Sequence, residues 1–406
     1  MSYSQNEKAI IWLDIFDFLT YKKQEAILGF FNEPKQIFTQ FSQNYDKLSK
    51  VVSKEEFDRM CYALNDDFLE QYIIELDRQG VVVLTKFSEN YPKQFLNFDA
   101  KPIILYCKGD LSLLKTKCVA IVGSRKPTNY GKEVTKKFAR ALASSGLTIV
   151  SGLADGVDMI AHSSALEVDG KTIAVMGSGF NHIYPKGNFS LEREIEQKGL
   201  VITEYKPEIM PASWHYPIRN RIIAGLSSAV LITEASNKSG SLYTRDYALE
   251  YGVDIFAVPG EITSFASSGC NNILKCCQAS LVTCPDDILE KLNVQNYYSG
   301  DVKPLQLSFD EQMIYNSIDG ETHFDIIQQK TKLDTKTLIT LLTTMELNGI
   351  IKKLAGNYYC KWFAVLFKFT KRRVYETSNY RKCWKSWHNK KIFRKGLGSF
   401  CHRWTY

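Results

Sequence analysis

Between residues 118 and 282 short apolar runs alternate with longer amphipathic segments. The runs lie at 119–122, 147–150, 172–176, 200–203, 229–233, 254–258 and 280–282. Most are continuously apolar rather than alternating, which fits strands buried on both faces, as in a parallel sheet. The segments between them are mostly of helix length. The stretch 132–145, for example, repeats apolar residues at Val134, Phe138 and Leu142. Strands separated in this way predict an α/β fold, a Rossmann-like doubly wound parallel sheet.

The flanks carry different patterns. Helical spacing recurs over 7–19, 24–31, 34–41, 54–64 and 66–78, so residues 1–80 are expected to form a helical domain. The stretch from 81 to 106 is expected to extend the sheet, giving one domain over 81–295. A linker is expected near 293–304, where Gly300 and Pro304 fall. Three helices (310–318, 324–331, 334–347) and a hairpin (350–354, 358–360) then predict a winged-helix domain over 305–360.

The residues at the carboxyl ends of the predicted strands are small and hydrogen-bonding. They are Gly123-Ser124-Arg125, Ser151-Gly152, Gly177-Ser178-Gly179 and Lys238-Ser239-Gly240-Ser241. Ligands of doubly wound sheets bind at that edge. Glycine lets a ligand approach backbone N–H groups, the following helix offers a positive N-terminus, and Arg125 adds a phosphate-matching fork. Any one of these turns is explained equally well as a tight turn or an N-cap. The dinucleotide pattern Gly-x-Gly-x-x-Gly does not follow the first strand, and no Gly-x-x-x-x-Gly-Lys-Ser/Thr loop occurs. In 214–227, Arg219 and Arg221 flank Asn220 beside Trp214 and Tyr216. Guanidinium groups neutralise phosphates and an aromatic face takes a base. Asp158 and His162, four residues apart, fit either an acid–base pair or a carboxylate complementing a helix dipole beside a bonded histidine. Glu234 is open to the same two readings.

These motifs together resemble the DNA-processing protein A (DprA/Smf) family. The resemblance runs from Tyr91 to about Cys360. It rests on Tyr91-Pro92, 101–106, Val122-Gly123-Ser124-Arg125, 151–158, Tyr216-Pro217-Ile218-Arg219-Asn220-Arg221, Lys238-Ser239-Gly240-Ser241 and Val258-Pro259-Gly260. Tyr216 stands where the family usually has phenylalanine, and Cys276-Cys277-Gln278-Ala279 replaces a usual Gly-Ala ending. The resemblance implies a sterile-alpha-motif-like fold for 1–80. It implies a single-stranded DNA-binding protein that protects incoming DNA and loads the RecA recombinase in natural transformation, acting as a homodimer and not as an enzyme. The DNA contacts it implies are Arg125, Tyr216, Arg219, Asn220, Arg221 and Lys238, with backbone or hydroxyl contacts at Gly123, Ser124, Ser178, Gly179, Ser239, Gly240 and Ser241. The alternative is a nucleotide-binding Rossmann hydrolase using Glu234 or Asp158.

Composition alters this picture at the C-terminus. The last 46 residues hold 13 of the 51 basic side chains and one of the 44 acidic ones. The remainder has 38 basic and 43 acidic residues, so the net charge of +7 belongs to the tail. Twelve aromatic residues are interleaved there, a composition that binds single strands non-specifically. An unselected extension fits the tail equally well, since it lacks periodicity. It is expected to be disordered. The ten cysteines include no Cys-x-x-Cys pair, so no metal is expected, nor any cofactor. No run reaches membrane-spanning length and no signal-peptide pattern opens the chain, so a cytoplasmic location without membrane contact is expected.

Overall fold

A computed structural model of the chain describes residues 2–64, 66–98, 100–294, 307–347 and 350–361. They fall into two compact units, one within 1–300 and one within 301–406. Most of the expected linker, and the expected tail beyond Lys361, lie outside the described residues.

The first unit is built on nine strands: β1 (Val82–Thr85), β2 (Ile104–Gly109), β3 (Cys118–Val122), β4 (Thr148–Ser151), β5 (Thr172–Val175), β6 (Leu200–Thr203), β7 (Ala229–Ile232), β8 (Asp254–Ala257) and β9 (Ser280–Leu281). Their order is β1-β2-β6-β5-β4-β3-β7-β8-β9. Pairing is parallel from β6 to β9 and antiparallel where β2 meets β6 and β1 meets β2. All seven strands expected between 118 and 282 are present. The strand order reverses at β3, which has β4 on one side and β7 on the other.

In β3 to β7 side chains alternate across the sheet and both sets are buried, which is why these strands read as apolar runs. Val119 and Ile121 of β3 meet Phe138, Leu142, Val157 and Ala161 on one face. Ala120 and Val122 meet Ile222, Ile223, Ala248 and Ile273 on the other. The helices Asn129–Ser144 and Val157–Leu166 thus cover one face, and His215–Leu226, Leu242–Glu250 and Ser268–Lys275 the other.

Residues 5–78 fold into helices Gln5–Asp14, Tyr21–Gly29, Lys54–Tyr62 and Asp66–Arg78. The helix expected at 34–41 is instead a 3-10 turn, Pro34–Gln36, running into a single α-turn, Ile37–Gln40. Capping boxes at Ser4/Glu7 and Ser53/Glu56 fix two of the starts. The buried Trp12 packs edge-on against Phe16 and Phe41 and donates its indole N–H to Ala63 O at 2.9 Å. This core continues through Val83, Ile104 and Tyr106, so the helices sit on the β1–β2 end of the sheet. Lys206, in the loop after β6, donates to Ile15 O at 2.9 Å and pairs with Asp17. It ties the end of the first helix to the segment leading into His215–Leu226.

The second unit has helices Phe309–Ser317, Phe324–Thr331 and Thr335–Leu347, with strands β10 (Thr322–His323), β11 (Ile351–Leu354) and β12 (Tyr358–Lys361). The sheet order is β10-β12-β11, antiparallel throughout. Ile314, Ile327, Leu338, Leu342, Met345 and Ile351 form its core. Thr340, Thr343 and Thr344 turn their hydroxyls back to carbonyls of their own helix.

Candidate nucleic-acid interface

A cleft of about 800 Å³ opens at the carboxyl ends of the parallel strands, around the point where the strand order reverses. Nine of the thirteen residues implicated by the sequence line it: Gly123, Ser124, Arg125, Tyr216, Arg219, Asn220, Ser239, Gly240 and Ser241.

Arg125 follows β3 on a loop clamped from two sides. Ser124 N–H donates to Glu234 O at 2.7 Å, and Val157 N–H donates to Ser124 O at 3.1 Å. Gly156, with φ +79°, passes so close that a Cβ there would lie 2.4 Å from Ser124 O. The backbone is therefore rigid where the side chain is free. Arg125 is exposed and has no ion pair among the described residues.

The His215–Leu226 helix forms a wall. Pro217 sits in its first turn, where a missing N–H costs nothing. His215 is locked against the turn after β5. Its ring stacks on Tyr205 at 4.1 Å, its Nδ1 lies 3.0 Å from Gly177 O, and burial lowers its pKa. The Tyr216 ring lies on Gly177, where an added Cβ would be 2.9 Å from the ring. The Arg125 guanidinium stands 5.6 Å from the ring centroid and that of Arg219 stands at 6.0 Å. The Tyr216 hydroxyl is buried and has no hydrogen-bond partner among the described residues, and burial raises its pKa.

Arg219 lines the cleft from below as a strut. It is only 3% exposed, and its Nη1 donates to Gly152 O at 2.6 Å and to Val175 O. Gly152 makes room for it, since a Cβ there would stand 2.5 Å from the guanidinium nitrogens. Asp158 accepts the Gly152 N–H at 3.1 Å. Burial pushes the Asp158 carboxyl above its ordinary pKa, while the charge of Arg219 works the other way. Asn220 donates to Gly240 O at 3.3 Å and ties the helix to the opposite loop. In that loop Ser239 and Ser241 bond each other at 2.8 Å. Leu242, Tyr243 and Thr244 N–H are taken by the carbonyls three residues back, so the turn satisfies this helix start. Ser241 occupies the N-cap position without a side-chain cap.

Four expected contacts lie elsewhere. Lys238 is exposed on the same loop but does not line the cleft. Ser178 is buried and donates to His182 O at 2.6 Å. Gly179 packs on the backbone of Lys206 and Pro207, where a Cβ would lie 2.0 Å from Lys206 O. Arg221 points into a second cavity and pairs with Glu204 at 2.7 Å. Conversely, Lys126, Tyr184 and Tyr243 line the cleft and were not singled out by the sequence reading. Lys126 had a legible signal, being a second cation directly after Arg125.

The carboxylates behind the hydrolase alternative have structural partners. Glu234 accepts Thr128 N–H at 2.7 Å and the Thr128 hydroxyl at 2.6 Å. It thus fills the N-terminus of Asn129–Ser144, which the sequence suggested would face a ligand anion. His162 bonds Thr172 Oγ1 at 2.6 Å, and burial holds it neutral with a pKa lowered to about 3. Among the described residues no group of three or more His, Cys, Asp or Glu could hold a metal ion. No described helix is long and apolar enough to cross a membrane.

A doubly wound sheet with a cleft of cationic and aromatic side chains at its switch point defines a Rossmann-type protein. Residues 82–293 match the family of DNA recombination-mediator protein A, and the chain belongs to that family. Protein Smf of Escherichia coli is 36% identical over 71% of this chain and 80% of its own length. The DNA processing protein DprA of Bacillus subtilis is 36% identical over 61% of this chain and 86% of its own. The crystal structure of DNA processing protein A from Streptococcus pneumoniae superposes with a TM-score of 0.60 at 33% identity, covering 72% of this chain and 99% of that one.

Proposed function

We propose that the chain grips single-stranded DNA along the cleft at the ends of β5, β4, β3 and β7. There it serves as a recombination mediator that protects incoming strands and passes them to a RecA-type recombinase during natural transformation. One observation carries the reading: an unpaired guanidinium, Arg125, stands over an aromatic ring, Tyr216, at the sheet's switch point. That pairing offers a phosphate contact beside a base platform, which is the chemistry of single-strand binding. Family membership supports the mediator role.

Within this reading Arg125, Lys126 and Lys238 contact phosphates, Gly123, Ser124, Gly240, Ser239 and Ser241 offer backbone or hydroxyl donors, and Asn220 positions the loop. Arg219 supplies positive potential from beneath. The protein works as a cytoplasmic homodimer and as a binder rather than an enzyme. Residues 1–80 form the sterile-alpha-motif-like domain, and 305–360 the winged helix. Three helices with a three-stranded sheet support the latter.

Fluorescence anisotropy of a labelled oligothymidine tests the site. Arg125→Ala is expected to weaken binding and to lower the salt slope by about one. Unchanged affinity and slope would place the strand elsewhere. A hydrolase would show nucleotide turnover by the pure protein that Glu234→Gln abolishes.

A further inference from the structure

Three aromatic rings, not one, face the cleft. Tyr184, in the loop after β5, is 51% exposed, and its ring centre lies 5.9 Å from that of Tyr216. Tyr243, in the first turn of Leu242–Glu250, is 52% exposed and lines the side that follows β7. Neither hydroxyl has a hydrogen bond among the described residues. Half-exposed rings lining one cleft with Arg125 and Lys126 suit a ligand that offers flat apolar faces and negative charge together.

We infer that Tyr184 and Tyr243 are two further base-stacking platforms, and that the cleft holds a run of several unpaired bases rather than one. The inference rests on the single-strand reading above and deepens it. Sheet geometry sets the scale. From β5 to β7 there are three strand intervals, in the order β5-β4-β3-β7, and at ~4.8 Å each they span about 14 Å. Stacked bases rise about 3.4 Å per nucleotide, so the two loops are roughly four base steps apart. Tyr216 sits beside Tyr184, and the cations of the β3 loop sit between the ends. A strand running across the strand ends meets ring, ring, cation and ring in turn. Bases locked in a duplex cannot present their faces to these rings, so the platforms also select single strands. The hydroxyls have no part in this; the ring faces do.

The test uses the full chain, a labelled oligothymidine and an abasic strand of the same length. Stacking contributes about 1–3 kcal/mol per base, so Tyr184→Ala and Tyr243→Ala are each expected to weaken oligothymidine binding by about 5- to 150-fold. The salt slope should stay as in the wild type, because no phosphate contact is removed. Tyr184→Phe and Tyr243→Phe should restore affinity. Binding to the abasic strand should be indifferent to all four substitutions. Wild-type affinity in both alanine variants overturns the inference. So does an equal loss on the abasic strand, or failure of phenylalanine to rescue. Failure of the wild-type chain to bind either strand would instead sink the single-strand reading itself.

Discussion

Tyr216 carries a buried hydroxyl that has no hydrogen-bond partner among the described residues. An unsatisfied buried hydroxyl costs about 1–3 kcal/mol. Tyr216→Phe is therefore expected to raise the melting temperature by several degrees while leaving oligothymidine affinity intact, as calorimetry and anisotropy would show. A fall in melting temperature would mean that the hydroxyl has a partner. Glu192 gives a pH-dependent case. It is buried with Glu196 nearby, and burial first, then the neighbouring carboxylate, raises its pKa to about 7 from an ordinary 4.5. A raised pKa means the folded state holds the proton more tightly. The stabilisation is complete below about pH 4.5 and is lost as pH rises through 7. Glu192→Gln should melt higher than wild type at pH 8 and the same at pH 4; equal melting curves at both pH values would refute this. Residue identities also show where sequence reasoning reached its limit. Gly152 and Gly177 looked like ligand-facing turns, yet they make room for Arg219 and Tyr216. A glycine in sequence announces a close approach but not what approaches.

Elements were more legible than residues. The strands from β3 to β8 were visible because burial on both faces leaves a nearly continuous apolar run, whereas β9, Ser280–Leu281, is exposed. The Asn129–Ser144 helix begins earlier than its apolar spacing suggested, because the Thr128 cap carries no apolar signal. Arg219, Asn220 and Arg221 were taken as one cluster. Successive helical residues turn by about 100°, so positions two apart face away from each other. Arg221 accordingly meets Glu204 while Arg219 meets Gly152. The partner of the Asn129–Ser144 N-terminus was not legible either, since Glu234 is distant in sequence. Removing it leaves the Thr128 N–H without its acceptor and the capping Thr128 hydroxyl without the carboxylate that orients it. Glu234→Ala should lower unfolding free energy by about 2–3 kcal/mol in urea. A change below about 0.5 kcal/mol would show that water replaces the carboxylate without cost.

For the whole molecule, Lys206 joins the N-terminal helices to the turn that follows β5. Its ammonium caps the end of Gln5–Asp14 at Ile15 O, and its carbonyl packs on Gly179. Lys206→Met should lower both thermal stability and oligothymidine affinity, although Lys206 does not line the cleft. Affinity unchanged despite lower stability would show that the two regions are independent. The charge distribution was legible at this scale, since only the last 46 residues are strongly basic. Deleting 362–406 is expected to reduce the salt slope of DNA binding, and an unaltered slope would mean that the tail makes no phosphate contact.

The groups around the cleft are bonded to the protein itself. Glu234 fills one helix end, and Arg219 fastens to the strand carbonyls. The groups that shape the site are thus held by the protein's own bonds, and on the proposed reading the cargo meets exposed side chains, ring faces and a few loop backbone donors at the surface. Such a cargo can be peeled away one nucleotide at a time. The barrier to transfer is then that of a single base leaving its ring, so a receiving protein that competes at one end can draw the strand out without waiting for complete release.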